Sequence, residues 1–234
     1  MTLQEFSNGF TTLLNSYGSI GAFGDEASHR EIVLDEYEKS VHLTMAQEEM
    51  VINLYSGKNI YGEAFENTEE MRRYLDALVK SEVCTSTRCD TPVSRNSVFY
   101  ELPDDLAYIV YEQVTWDDDR LGCYDGNIAD VYPITHDEYN KIRRNPFRGA
   151  TKYRVLRLDA GDNTVELISK YSFKDYLIRY VARPNPIILE DLPDGLTING
   201  QSHTSECELN PMLHDAILRR AVQLALVSRG IQLS

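Results

Sequence analysis

The chain has 234 residues, 42% hydrophobic and 26% charged, with a formal net charge of −14. That length can bury a core without metal or disulfide, and no run approaches the roughly 18 apolar residues of a membrane span, so membrane and fibrous classes are excluded. Four scattered cysteines (Cys84, Cys89, Cys123, Cys207) read as free thiols, and residues 1–5 carry no basic stretch leading into an apolar run, which predicts folding in a cytoplasm.

In chain order, Thr2-x-x-Glu5 is a capping box, followed by Leu3, Phe6, Phe10, Leu13, Leu14 and Tyr17 near helical spacing, with Gly18 as the stop. Gly18, Gly21 and Gly24 punctuate a loop, and Ser28-x-x-Glu31 opens a second helix through about residue 37. Thr44-x-x-Gln47 reads as a third start, leading into Met50, Val51, Leu54 and Tyr55 and ending at Gly57. Asn67 or Thr68 caps a fourth helix that carries Met71, Tyr74, Leu75, Leu78 and Val79. Thr, Ser, Asn and Pro over 85–97 mark a loop. Strands are expected over 97–102, 107–116, 128–132, 153–158, 164–170 and 176–182, with Thr135-x-x-Glu138 capping a short basic helix between them. Asn210 and Pro211 open a final helix with the stripe Leu213, Ile217, Leu218, Ala221, Leu224 and Ala225.

The fold class is therefore α+β, with an N-terminal helical region, a central antiparallel β region and a long C-terminal helix with an extended tail. The expected divisions are a helical region over 1–96, a β platform with one short helix over 97–189, and the C-terminal loop and helix over 190–234, together forming one compact unit.

No catalytic set emerges. His29, His42, His136, His203 and His214 form neither H-x-x-x-H nor H-E-x-x-H, and the Cys84 and Cys89 pair lacks a second pair for zinc. Gly18-x-x-Gly21-x-x-Gly24 departs from the dinucleotide fingerprint and follows a helix rather than a strand. Asp117, Asp118, Asp119 and Asp125 supply the clustered carboxylates a hard cation takes, but without EF-hand order, and a soluble turn is the simpler reading. The expectation is no catalytic residue, no cofactor, no metal and no enzyme.

Charge is unevenly placed: net −10 over 1–70, −8 over 71–140, +7 over 141–183 and −3 over 184–234. In the basic segment Lys141, Arg143, Arg144, Arg148, Lys152, Arg154 and Arg157 interleave with Tyr139, Phe147 and Tyr153, a composition that suits a nucleic-acid patch, an acidic neighbouring subunit or a solvated face. The acidic surroundings favour the subunit, with Glu31, Asp35 and Glu38 against Arg143, Arg144 and Arg148 as candidate contacts. A chain acidic at one end and basic at the other can associate head to tail and close into a ring.

Two stretches carry a resemblance. The first is Tyr37-Glu38-Lys39-Ser40 with Leu43-Thr44-Met45-Ala46-Gln47-Glu48-Glu49. The second is Arg183-Pro184-Asn185-Pro186-Ile187-Ile188-Leu189, then Leu196-Thr197-Ile198-Asn199-Gly200, Cys207-Glu208-Leu209-Asn210-Pro211, His214 and Arg220-Ala221-Val222. Together, from about residue 30 to 228, the chain resembles the ring (adaptor/tail-barrel) proteins of the head-to-tail connector of crAss-like bacteriophages. The resemblance implies a virion structural protein of the neck or tail barrel, made in the host bacterial cytoplasm. It would form a homo-oligomeric, dodecameric ring that joins portal to tail and continues the DNA-ejection channel. Its implied partners are itself, the portal protein and neighbouring tail ring proteins, with genomic DNA passing without sequence-specific binding and no membrane. Simple adaptors are mainly helical, so the β region is an added platform. The tail after the last helix, with Arg229, Ile231 and Leu233, is the candidate portal contact. The alternatives are a metal-dependent DNA-processing enzyme and a capsid-decorating or fibre-attachment protein.

Overall fold

In the computed structural model, described over residues 1–20, 33–59, 62–89, 92–145, 147–193 and 195–230, the chain divides into two units: Met1–Leu78 with Arg183–Ser234, and Val79–Ala182. The fold is α+β, as the sequence predicts.

The first unit is helical. α1 (Leu3–Ile20) starts at the expected box: the Thr2 amide donates to Glu5 Oε2 at 2.8 Å and the Glu5 amide to Thr2 Oγ1 at 3.3 Å. It runs through Gly18 to Ile20 and buries Phe6, Phe10 and Leu14. The expected third helix is the later part of a longer one, α2 (Glu36–Ser56), while residues 33–35 of the expected second helix are not helical and only its last residues fall in α2. Its cap is Asp35, whose Oδ1 accepts from the Glu38 amide at 2.7 Å, and it ends at Gly57 with φ +76°. Thr44-x-x-Gln47 is therefore not a start. Any Thr followed three residues later by Gln or Glu inside a helix matches that pattern, and Asp35, followed by Glu38, is the stronger anion-plus-box signal. The Ser28-x-x-Glu31 box and the glycines at 21 and 24 lie outside the described residues. Thr68 caps α3 (Glu69–Leu75), which buries Met71 and Leu75.

α5 (His214–Ser228) follows one 3-10 turn (Pro211–Leu213) whose cap, Asn210, accepts from the Met212 amide at 3.0 Å. It packs on α1 and α2 and buries Ile217, Leu218, Ala221, Val222, Ala225 and Leu226. A Cβ at Gly9 of α1 would lie 2.8 Å from Leu218 Cδ2, so glycine there permits the close approach of the two helices.

The second unit is a sheet of β1 (Val79–Val83), β2 (Thr85–Thr87), β3 (Ser97–Glu101), β4 (Leu106–Trp116), β5 (Ile128–Pro133), β6 (Arg154–Gly161), β7 (Thr164–Ile168) and β8 (Phe173–Ala182). The strand order is β1-β8-β4-β5-β6-β7-β3-β2. Its two edge strands are separated in the chain by Cys84 alone, whose amide donates to Tyr176 O at 2.8 Å, so the sheet closes on itself at that residue. β2 replaces the start of the loop expected over 85–97. Thr85, Ser86 and Thr87 are all exposed, so this strand carries none of the apolar alternation by which strands are read.

All neighbours are antiparallel except β5 and β6, whose parallel pairing requires a crossover; α4 (His136–Ile142) supplies it and covers Leu156, Leu158 and Ile168 with Tyr139. The inward parity of the strands brings Val114, Trp116, Val155, Val165, Leu167, Tyr176, Ile178 and Tyr180 into one core.

Candidate functional site

The helical unit carries net −11 and the sheet unit net −3. The cationic groups of the sheet unit gather on α4 and the loop that leads to β6. This loop is braced from behind. Arg154 Nη2 donates to Arg148 O at 2.7 Å and Gly149 O at 2.9 Å, Trp116 Nε1 donates to Lys152 O at 2.9 Å, and the Phe147 amide donates to Asn145 Oδ1 at 3.0 Å. Lys152 Nζ stands 3.7 Å over the Tyr124 ring and 4.9 Å from the centre of Tyr153, and the Arg154 guanidinium lies 5.8 Å over Tyr132. The hydrogen bond from the Tyr153 hydroxyl, with the close Lys152 ammonium adding to it, holds the Tyr124 phenol below its ordinary value.

The seven expected basic residues therefore serve three purposes. Lys152 and Arg154 hold the loop. Arg157 points into the sheet's core, 12% exposed, at 2.8 Å from Glu112 Oε2. Lys141, Arg143, Arg144 and Arg148 are exposed and have no carboxylate within 4.0 Å among the described residues. Phe147 stands between Arg144 and Arg148 with its ring in solvent.

The expected acidic partners can be followed only in part. Glu31 lies outside the described residues. Asp35 and Glu38 form the α2 cap, and Glu38 Oε1 also accepts from Arg229 Nη2 at 3.3 Å. Arg229 is thereby tied to α2, while Ile231 and Leu233 lie outside the described residues.

The acidic loop has a structural use. Asp118 caps a 3-10 turn (Asp119–Tyr124) and accepts from the Arg120 amide at 3.0 Å, Arg120 Nε at 2.8 Å and the Ser172 amide at 2.9 Å, while Asp125 Oδ1 accepts from the Asp118 amide at 2.9 Å. These donors hold the Asp118 carboxyl far below its ordinary range, the Arg120 side chain contributing most. Among the described residues, no three His, Cys, Asp or Glu side chains gather to hold a metal ion. Cys84 is buried, and burial pushes its thiol up to about 12, with Glu82 and Glu112 adding to the shift.

Two features escaped sequence reasoning. The first is Glu112, buried beside Tyr176 and Arg157, with the Tyr176 hydroxyl donating to Glu112 Oε1. Burial raises the Glu112 carboxyl despite the guanidinium, and raises the Tyr176 phenol further. Glu112 and Arg157 share the strand parity of the core residues Val114 and Val155, so both charges face inward.

The second is a seam between the two stretches quoted for the resemblance. Ser40, Thr44 and Gln47 form one buried polar face of α2 at helical spacing. The Leu189 amide donates to Ser40 Oγ at 3.0 Å, the Ile187 amide to Thr44 Oγ1 at 3.1 Å, and Gln47 Nε2 to Asn185 O at 2.7 Å. Arg220 of α5 forks onto Glu49, with Nε to Oε2 and Nη2 to Oε1 both at 2.8 Å. His214 donates from Nε2 to Leu209 O at 3.0 Å and accepts at Nδ1 from the Met1 amino group at 2.7 Å. Through these bonds, polar residues of both quoted stretches hold the helical unit together.

Comparison with known proteins gives three findings. A family model described as phage tail ring protein 3/4 matches residues 1–234. The chain is 53% identical over 231 residues to "Ring protein 3" of Bacteroides phage crAss001, covering 98% of this chain and 96% of that protein. It is 36% identical over 236 residues to "Ring protein 4/5" of the same phage, covering 96% of this chain and 92% of that one. With a full-length match to the family and two full-length relatives, this chain belongs to the phage tail ring protein 3/4 family, whose members are structural components of the virion tail.

Proposed function

We propose that the chain forms a homo-oligomeric, dodecameric ring in the neck or tail barrel of a short-tailed phage, stacked with the portal or with neighbouring tail rings and continuing the DNA-ejection channel. The observation that carries this reading is the end-to-end similarity to two differently numbered ring proteins of one phage, which makes each a ring-scale variant of one subunit plan. Charge supports it: a basic loop and a helical unit of net −11 on the same chain favour head-to-tail contact between copies. A net charge of −14 also suits a conduit, because like-charge repulsion lets a polyanion slide without sticking.

The test is the native mass of the full-length chain, alone and mixed with the portal and neighbouring ring proteins of its phage, together with its copy number in purified virions. A closed multimer of defined copy number that binds no duplex DNA at physiological salt is expected. A chain that stays monomeric in every mixture and is absent from virions would overturn the reading.

A further inference from the structure

Among the described residues the two most exposed large apolar side chains are Phe147, 88% exposed, and Met212, 76% exposed. Their surroundings carry opposite charge. Phe147 projects from the braced loop between Arg144 and Arg148. Met212 forms one wall of an open groove of about 500 Å³ in the helical unit, lined otherwise by Glu69, Glu70, Arg73, Tyr74 and Asn210. Arg73 is engaged by Glu69 at 2.6 Å, and the Glu69 side chain remains 70% exposed at the groove's edge.

We propose that this groove receives the Phe147 loop of a second copy of the chain, with the phenyl ring against Met212 and Tyr74 and with Arg144 and Arg148 beside Glu69 and Glu70. A polarizable thioether next to an aromatic face adapts to an inserted ring, and an aromatic anchor rimmed by charged groups is the usual form of an interface hot spot. The two surfaces differ, so the contact is heterologous and repeats from copy to copy, as a ring requires. The inference rests on the ring reading and names the surfaces that reading leaves open. It places the acidic partner of the basic loop on α3, where Glu69 and Glu70, bonded to Arg73 at 2.6 Å and to the Tyr74 hydroxyl at 2.7 Å, stay exposed along the groove beside Met212. DNA is the rival occupant of an exposed basic-aromatic loop, but DNA leaves the acid-edged groove unexplained.

The experiment uses the full-length chain with Cys89→Ser and Cys123→Ser, carrying Phe147→Cys and Met212→Cys together or singly, under mild oxidation. The pair is expected to give a ladder of covalent multimers, and either change alone to stop at dimers. In the unmodified background Phe147→Ala should weaken self-association at least about tenfold without lowering the melting temperature, since the ring is in solvent. Glu69→Lys with Glu70→Lys should do the same, and Arg144→Glu with Arg148→Glu should restore part of the loss. Normal self-association without a ladder, and indifferent to Phe147→Ala, overturns the inference and leaves the ring reading standing. Duplex DNA binding that is lost in Phe147→Ala while self-association persists also overturns it. A chain that is monomeric alone and with its neighbours overturns both.

Discussion

Thr44→Val tests whether the seam between α2 and the 185–189 segment holds the helical unit together. Ile187 is fully buried, so its amide, 3.1 Å from Thr44 Oγ1, finds no water once the hydroxyl is removed. Valine keeps the shape of threonine, so the cavity contribution is small and the loss is the desolvation of one stranded N–H, about 1–3 kcal/mol. The second bond of the hydroxyl, to Ile187 O at 3.4 Å, is long and adds little. For a chain of this size a loss of about 2 kcal/mol lowers the melting temperature by about 4–8 °C. Thermal unfolding followed by helical circular dichroism reads the change, with Thr44→Ser as the control that keeps the acceptor and loses only a methyl group, worth about 1 kcal/mol. The expected order of stability is wild type, then Thr44→Ser, then Thr44→Val. A Thr44→Val chain that melts at or above the serine variant would refute the claim that the buried hydroxyl sustains the seam.

Ile217 is fully buried on α5, so Ile217→Asp places an unpaired carboxylate among apolar helix faces at a cost of several kcal/mol. Soluble protein should fail to accumulate, and a soluble variant with an unchanged melting temperature would show that α5 does not pack there. In the acidic loop, Asp117→Asn with Asp119→Asn should leave calorimetric stability unchanged, whereas Asp118→Asn should lower it, because Arg120 and the Ser172 amide lose a charged acceptor; equal effects would return the loop to a merely solubilising role. Burial holds the His214 imidazole below its ordinary pKa, and His42 likewise, so the unfolded chain takes up the protons more readily. Stability is therefore present above about pH 6.5 and is lost as pH falls through that value toward the folded-state pKa. The melting temperature should drop on mild acidification, and less steeply in His214→Gln; equal slopes would remove His214 from the effect.

Elements whose apolar residues recur at a regular period were legible: α1, α5, α4 with its Thr135 box, the long strands, and the start of α3, although that helix ends at Leu75, with Leu78 in a 3-10 turn and Val79 opening β1, which was read as helix. What misled was a pattern without a unique physical cause. Thr44-x-x-Gln47 has the letters of a cap, yet the hydroxyl of Thr44 serves a chain segment more than a hundred residues away, and no local signal distinguishes the two uses. β2 was hidden because an exposed polar strand alternates nothing. The closure of the sheet at Cys84 depends on pairing partners distant in sequence, which periodicity does not encode. At the candidate site, the exposed arginines and Phe147 were read from composition, but the division of the basic segment was not. Arg157 shares the parity of Val155, which faces the sheet's core, but it also lies between Leu156 and Leu158, which face α4; with apolar residues on both faces of β6, parity alone did not place it.

The strength expected of one contact decides how assembly should proceed. Exposed ion pairs are worth about 0.2–1 kcal/mol each, and burying one Phe side chain about 1.5–3 kcal/mol. Their sum barely reaches the lower end of the about 4–15 kcal/mol that association costs, so a lone pair of copies is weakly bound. In a closed ring each copy makes the contact twice while the last closure loses no further copy to solution, so the ring gains where the open dimer does not. The expected populations are monomer and complete ring with few intermediates, seen as two peaks in single-molecule mass measurements. Salt should act mainly before closure, because the charges on Arg144, Arg148, Glu69 and Glu70 are exposed and the screening length falls from about 10 Å at 0.1 M to about 3 Å at 1 M. Raising salt should therefore slow assembly and raise the concentration at which rings appear, while rings already formed dissociate at a nearly unchanged rate. Abundant stable dimers and trimers, or an assembly threshold indifferent to salt, would show that the contact between copies is larger and more apolar than the Phe147 loop and its groove.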